Sequence, residues 1–501
     1  MLPRSPRAIK GKVMTFPEVV PNWIAGTECL AVSGKTISKL NPADGMLLFA
    51  VTRSGRGDVE KAVRAAKDAH VAWSRTPAVE RGLILHEIVK RMEAQKEMIA
   101  YTVHRETGKS MNDAMGEVGA AIQLGLFYAS EGQRFYGKTC TTGIANRLSM
   151  TIRDSVGVAG LIVAANTPIA NVAWKVFPAL ICGNGVVLKG AEDTPATAWL
   201  FGKIAHDAGL PEGVLNIIQG YGQEAGQPLV EHRDVGVVSF TGSSMVGKLL
   251  GKIAGARLAK TSLELGGKNA FVVCDDANLE KAVHWAVLSA FSNAGQRCVA
   301  GSRIIVFQSV YEEFREKLLA KTSSLKLGPE NGDDFGPVVN ERQLANMIAA
   351  VDAAVNGGAT LLAGGGRLKD EKHKNGFYMA PTILEGVASG APLSREEVFG
   401  PICCLYEVAD YAEAVALTND CDYGLSACIH TGNFHRGIEF CKSVETGMAV
   451  VNGGTFGSEP HMPFGGTKDS GNGSREPGTE AIDIYSNLKD IYLHTEQEGL
   501  K

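Results

Sequence analysis

From Val156 onward, short apolar runs alternate with helical stretches, and this alternation restricts the possible folds more than any other feature. The runs are Val158–Ala164, Val186–Lys189, Val214–Ile218, Val237–Phe240 and Phe271–Val273, each rich in β-branched residues and bounded by Gly, Pro or Asp. Apolar runs without alternation suit strands buried on both faces, and intervening helices suit the crossovers that parallel strands require. A doubly wound parallel α/β architecture is therefore expected. A second series begins near Arg303-Ile-Ile-Val306 and continues to about Val451. With 501 residues the chain exceeds one simple core, which agrees with two or three structural units.

Upstream, Val59, Ala62, Val63, Ala66, Ala69 and Trp73 recur at helical spacing, predicting a helix over 58–73 with Asp58 as its N-cap. Residues 79–102 extend the pattern through Leu85, Ile88, Met92 and Ile99. Gly364–Gly366 and the charged run Lys369–Lys374 read as an exposed loop. The tail Ile482–His494 has partly alternating polarity and predicts an edge strand that needs a partner, in this subunit or another. The run Arg147–Arg153 is a second β-like candidate.

Composition narrows the partners. The net charge is −4 with both signs interspersed, which leaves neither a nucleic-acid footprint nor a polybasic membrane patch. The most apolar stretch, Ile169–Leu188, is interrupted by Lys175, Pro178 and a Gly-Asn-Gly break, so a buried helix followed by a strand is expected and not a membrane span. Arg4, Arg7, Lys10 and Lys12 precede no apolar segment, which argues against secretion and leaves a weak transit signal as the alternative. The ten cysteines show no paired C-x-x-C spacing, so reduced thiols in a cytoplasmic protein are expected, with no metal cluster.

Chemistry concentrates in Phe291-Ser-Asn-Ala-Gly-Gln-Arg-Cys298-Val-Ala-Gly-Ser302. Cys182, Cys274, Cys403, Cys404, Cys428 and Cys441 lie in apolar or strand-like runs and fit inert packing residues. Cys298 differs through its small and polar flanks, the setting a reacting thiolate needs, and Arg297 is expected to favour that thiolate. In Leu263-Glu264-Leu-Gly-Gly-Lys-Asn269 a carboxylate is embedded among apolar residues and glycines, a setting that raises its pKa toward that of a general base. A nucleophile and a base on two loops suggest acyl transfer through a thioester. Asn166, in Val163-Ala-Ala-Asn-Thr-Pro168, reads on its own as a turn residue before proline. Ser239-Phe-Thr-Gly-Ser-Ser-Met-Val-Gly-Lys248 reads as a strand, a tight turn and a helix start, with Gly242 and Gly247 letting N–H groups face a pyrophosphate. It lacks the Lys-Ser/Thr pair of a Walker loop.

Taken together these segments resemble the aldehyde dehydrogenase superfamily, in colinear order from about residue 40 to 495. The matching stretches are "GQRC", "LELGGKN", "NTPIANVAWKVFPALICGNGVVLKGAEDTP", "FTGS" before "VG", "EVFGP" and "PFGGTKDSG". The resemblance implies two doubly wound Rossmann-like domains plus a small β oligomerisation extension. It divides the chain into a cofactor domain at 1–263, with 141–156 in the extension, a catalytic domain at 264–452, and a return to the cofactor domain and an oligomerisation tail at 453–501. By the same resemblance Cys298 is the nucleophile, Glu264 activates the water that hydrolyses the thioester, and Asn166 donates its amide to the oxyanion beside the Cys298 N–H. Lys189 and Glu192 contact the adenine ribose, with Glu192 favouring NAD over NADP by repelling a 2′-phosphate. Gly222, Phe240, Gly242, Ser243, Gly247, Leu265, Glu397 and Phe399 complete the implied cofactor contacts. Many members carry Pro-Trp where this chain has Ala164-Ala165, which implies a more open cofactor wall.

The implied activity is NAD-dependent oxidation of an aldehyde to the free acid by a cytoplasmic homodimer or homotetramer. A CoA-acylating relative is one alternative, disfavoured by the retained Glu264, and a non-catalytic protein of the same fold is another. Arg297, Lys468 and Arg475 lie near the implied substrate tunnel. Either one of them faces an anionic substrate, or Arg297 points to a structural carboxylate and the other two are surface charges.

Overall fold

The computed structural model describes residues 16–495, together with the backbone of a short hairpin at Ala8–Ile9 and Lys12–Val13. Arg4, Arg7 and Lys10 lie outside the described residues.

Two seven-stranded sheets organise the molecule. In the first the order is Lys260–Glu264, Val235–Thr241, Val158–Ile162, Gly185–Lys189, Leu215–Ile218, Asn22–Ile24 and Thr27–Cys29. Its five central and leading strands run parallel, and only the Asn22–Cys29 hairpin joins antiparallel. Each predicted apolar run forms a strand, within one or two residues at its ends. Alternate residues serve opposite faces: Ala159, Leu161, Val186 and Leu188 enter one core, while Val158, Ile162 and Val187 enter the other. Such double burial is why these strands read as continuous apolar runs.

The second sheet takes the order Thr360–Ala363, Thr382–Glu385, Ile402–Val408, Arg303–Phe307, Ala270–Val273, Ser426–His430 and Met448–Val451. It has its own apolar core. Strand order reverses around Val158–Ile162 in the first sheet, since the chain builds outward to Leu215–Ile218 and then returns to the other side with Val235–Thr241. In open α/β sheets such a reversal opens a crevice at the carboxyl ends of the strands.

Helices Ala78–Ala94, Lys96–Thr107 and Met111–Glu131 pack with Pro168–Ile181 over one face. The first predicted helix is Arg56–Trp73, and its cap differs from expectation. Gly55 is the N-cap, and Asp58, three residues on, accepts the Gly55 N–H at 3.0 Å. The carboxylate reaches back one turn because the free end of the helix lies at Gly55. The tail also departs from the reading. Ala481–Tyr485 is helical, since Ala481, Ile482, Ile484 and Tyr485 all bury into the first core, and only Ser486–His494 is a strand. That strand pairs along its whole length with Arg147–Ser155 in the same chain, and Thr139–Cys140 adds a third strand. Leu148, Ile152, Leu488, Tyr492 and Leu493 stay exposed on this small sheet. Among the described residues no helix is long and apolar enough to cross a membrane.

Candidate active site

The segment Leu265–Asn269 is the bridge between the two sheets. It leaves the carboxyl end of Lys260–Glu264 and enters the amino end of Ala270–Val273, so Glu264 faces the junction. Gly267 permits this crossing, because a Cβ there would meet the Cys298 carbonyl oxygen at 2.4 Å. Glu264 is 5 % exposed, and among the described residues neither carboxylate oxygen has a hydrogen-bond partner. Burial pushes its pKa well above the ordinary carboxylate value; Glu476 adds to the rise, while Lys175 and Arg475 oppose it. A desolvated, unpartnered carboxylate is basic and ready to accept a proton.

Cys298 lies between helix Leu279–Phe291 and strand Arg303–Phe307. A left-handed turn at Asn293 (φ 56°), Ala294 (φ 55°) and Gly295 (φ 65°) brings the chain round to it. The Asn269 amide donates to the carbonyls of Cys298 (2.8 Å) and Ala300 (2.9 Å), tying the nucleophile loop to the intersheet bridge. The thiol does not behave as its neighbour Arg297 suggested. Burial, then the charges of Glu397 and Glu264, push its pKa up to about 12, so the resting residue is a thiol and not a thiolate. Burial and two carboxylates together keep the proton on the sulfur at rest.

Asn166 follows strand Val158–Ile162, and its side chain turns toward the same junction. Its amide nitrogen donates to the Gln296 carbonyl at 3.0 Å, and its oxygen accepts from the Asn171 amide at 3.1 Å. One of its two amide hydrogens is thus used, leaving the other for a substrate oxygen. Behind it lies a buried network that the sequence did not announce. Lys109 donates to the Asn166 main-chain oxygen (2.8 Å) and to Glu117 (2.7 Å), and Glu117 accepts the Ile169 and Ala170 N–H groups at the start of helix Pro168–Ile181.

A second buried cluster stands behind Glu264. Lys175 donates to Glu476 (2.7 Å) and to Ser239 (2.7 Å), and the Tyr485 hydroxyl donates to Glu476 (2.6 Å). Lys175 was visible only as an interruption in an apolar run, while Glu476 sits in an unremarkable charged stretch. Its partner lies 301 positions away, and no local pattern could expose that pairing.

Most of the expected cofactor residues follow strands of the first sheet at its carboxyl edge, whereas Glu397 and Phe399 precede the second-sheet strand Ile402–Val408. Lys189 ends its strand and holds Glu192 at 2.8 Å. Burial raises the pKa of Glu192, but its charge attraction and hydrogen bond to Lys189 prevail and leave it lowered, hence ionised. Ser243 caps helix Ser244–Gly255 by accepting the Val246 N–H, and the Gly242 N–H donates to the Glu264 carbonyl at 3.1 Å. A Cβ at Gly247 would meet Leu265 at 2.3 Å, so this helix packs directly on the bridge residue. Phe240 is buried in the core beneath it. Glu397 accepts the Gly267 N–H at 3.1 Å, and burial raises its pKa to about 7. Phe399 takes φ 60°, and Gly222 opens the turn after strand Leu215–Ile218. A helix start at the end of a parallel strand, an ion pair of buried Lys189 with half-buried Glu192 and a carboxylate beside the thiol suit a dinucleotide with its pyrophosphate, ribose and reactive ring. Among the described residues no three His, Cys, Asp or Glu side chains converge as a metal site.

The cations flanking the site separate cleanly. Lys468 is engaged by Glu445, by the Asn419 carbonyl (2.9 Å) and by the Cys421 carbonyl (3.1 Å). Arg475 donates to the carbonyls of Gly466 (3.1 Å) and Ser474 (2.9 Å). Among the described residues Arg297 has no such partner, and its Nε is buried without one.

Residues 30–491 match the model of the aldehyde dehydrogenase family. The chain belongs to this family. An alpha-ketoglutaric semialdehyde dehydrogenase from Bacillus subtilis is 39 % identical over 96 % of this chain and 99 % of its own length. A 2,5-dioxopentanoate dehydrogenase from Saccharolobus solfataricus is 37 % identical over 95 % of this chain and 99 % of its own. Among solved structures, betaine aldehyde dehydrogenase from Staphylococcus aureus, crystallised with NAD+, superposes with a TM-score of 0.93 at 29 % identity, covering 95 % of this chain and 97 % of that one. This aldehyde dehydrogenase thus has the doubly wound α/β architecture that its strand pattern predicted, with the Rossmann-like domains that the family resemblance implied.

Proposed function

We propose that this enzyme oxidises an aldehyde to the free carboxylic acid with NAD, using Cys298, Glu264 and Asn166. The observation that carries the reading is the bare carboxylate of Glu264, at the junction where the Asn269 amide holds the nucleophile loop. The Cys298 thiol releases its proton to water as its sulfur adds to the aldehyde carbon, forming a thiohemiacetal. Asn166 and the Cys298 N–H donate to the oxyanion. When bound, NAD supplies the acceptor that takes the hydride from this carbon, leaving a thioester on Cys298. Glu264 then removes a proton from water as its oxygen attacks the thioester carbon; the C–S bond breaks and the acid leaves. Retention of this base supports hydrolysis over transfer to CoA.

Lys189 and Glu192 hold the adenine ribose, and the ionised Glu192 sets the preference for NAD. Gly222, Phe240, Gly242, Ser243, Gly247 and Leu265 shape the cleft for the pyrophosphate and adenosine, and Glu397 and Phe399 hold the nicotinamide half. The cofactor domain comprises 1–263, the catalytic domain 264–452, and 453–501 returns to the cofactor domain and forms the oligomerisation tail. The exposed apolar side chains on the Arg147–Ser155 and Ser486–His494 pair support assembly as a homodimer or homotetramer, and the enzyme works in the cytoplasm on a small-molecule aldehyde. NADH absorbance with a panel of aldehydes tests the activity: formation with NAD and little with NADP is expected, and none with any aldehyde overturns it. Light scattering that shows a monomer at micromolar concentration overturns the assembly.

A further inference from the structure

Lys109 and Glu117 are buried, oppositely charged and 2.7 Å apart, and the chemistry above uses neither. Lys109 sits in the turn between helices Lys96–Thr107 and Met111–Glu131. That turn is tightly built. Gly108 takes φ 76°, a Cβ there would meet the Pro337 ring at 2.4 Å, and His104 Nδ1 donates to the Lys109 carbonyl at 2.7 Å. From this root Nζ reaches the main-chain oxygen of Asn166, 57 positions along the chain, at 2.8 Å. Glu117 grips the segment just beyond. Helix Pro168–Ile181 receives no side-chain cap from its own Thr167, and Pro168 has no N–H. The next two N–H groups, of Ile169 (2.9 Å) and Ala170 (3.3 Å), both donate to one Glu117 oxygen.

Asn166 is thereby held at three atoms. Its main-chain oxygen accepts from Lys109 and also from the Asn293 amide at 3.2 Å, its Oδ1 accepts from Asn171, and Nδ2 donates to Gln296. These contacts fix the direction of the remaining Nδ2–H. Asn293 and Gln296 belong to the nucleophile segment and Asn171 to the helix that follows Asn166, so Lys109 alone ties Asn166 to the helical layer outside. A buried ion pair gains little stability over apolar side chains of the same volume, and its return here is geometric. We infer that Lys109, braced by Glu117, is a positioning residue that aims the Asn166 amide at the oxyanion. This rests on the role given to Asn166 above and adds the group that sets its direction. Lys109 touches no reacting atom and acts through Asn166. An oxyanion donor works only when it is already in place, so a small displacement of the Asn166 backbone is costly in rate.

A double-mutant cycle in the full-length enzyme, with NAD and the best aldehyde of the panel, tests this. Lys109→Met should lower kcat by about ten-fold to a hundred-fold with KM little changed, the size of effect a misplaced group produces. In an Asn166→Ala background the same substitution should have no further effect, because the group it aims is gone. Lys109→Arg, which keeps a cation able to reach both oxygens, should recover part of the rate. Lys109→Met/Glu117→Gln leaves no buried charge unpaired and keeps an oxygen for the Ile169 and Ala170 N–H groups, so it should fold and show the same fall in kcat. Alkylation of Cys298 by iodoacetamide should proceed at the wild-type rate in each Lys109 variant, since Asn269 still holds the nucleophile loop. An equal fall in kcat with and without Asn166 overturns the inference, as does a matching fall in Cys298 alkylation, which would mean general disruption. If Asn166→Ala slows turnover and Lys109→Met does not, only the positioning role fails. If Asn166→Ala turns over like wild type, the reading of Asn166 fails with it.

Discussion

Glu264 and Glu476 are both buried carboxylates on the same side of the first sheet, yet they are treated in opposite ways. Glu476 is surrounded by donors from Lys175, Ser239 and Tyr485, and none of its hydrogen-bonding capacity is wasted. Glu264 receives none, and both of its oxygens are orphaned. Satisfied burial makes a clamp, while unsatisfied burial stores free energy in a group that can accept a proton. The nucleophile region repeats the contrast. Asn269 ties down the Cys298 backbone, yet the thiol itself is left desolvated among like charges. Reactive groups here are held by their main chain and left bare at their tips.

The sharpest break in this comparison comes from Cys298→Ser. A hydroxyl is a far weaker nucleophile, and turnover should fall by about 10⁴-fold or more, with the NAD dissociation constant little changed. Near-normal NADH formation would remove Cys298 from the chemistry. Glu264→Gln should slow deacylation by about 10²- to 10⁴-fold, the range for a general base. Rapid mixing should then show an NADH burst followed by slow turnover, and wild-type breakdown of the thioester would place the base elsewhere.

The same variant should stabilise the fold, with a defined pH dependence. A carboxyl whose pKa is raised on folding favours the folded state at low pH, and this contribution is lost as pH climbs from the ordinary carboxylate value of 4.5 through the raised one. Wild type should therefore lose stability relative to Glu264→Gln as pH rises above 4.5, and denaturant midpoints across pH measure it. A constant difference would mean that Glu264 is not desolvated.

At the clamp the outcome reverses. Lys175→Met leaves Glu476 as an uncompensated buried charge and should cost about 3–5 kcal/mol of stability by denaturant titration. Lys317→Met breaks a pair with exposed Glu280 and should leave the midpoint within error. Between these, Asn166→Ala should lower kcat by about 10²- to 10³-fold, as expected for one oxyanion donor. A change confined to KM would assign Asn166 to binding.

Some of this was legible in the chain and some was not. Double burial writes a strand as an unbroken apolar run, so both sheets could be read. Glu264 and Cys298 stood out because their flanks are unusual for their residue types. Asp58 was misread by one turn, because a cap is defined by where the backbone begins to coil and not by the capping side chain. Ile482–Tyr485 read as strand because a short apolar stretch fits either period, and contact with the first core decided for helix. Arg297 does attract the thiolate, as its adjacency implied, but burial and the charges of Glu397 and Glu264, which no neighbouring residue announces, outweigh it.

By itself the sequence determined the alternation of strand and helix, the two glycine-bearing bridges to chemistry at Glu264 and Cys298, and the family likeness, because each is written in neighbouring residues. Tertiary structure alone decided which buried charges are paired. The partners of Lys175, Lys109 and Asn166 come from distant segments, and the unpaired state of Glu264 and Arg297 exists only once every other side chain has taken its place. Hydrogen bonds and desolvation act over a few ångströms in space, so a chain read along its length shows the groups but not their company.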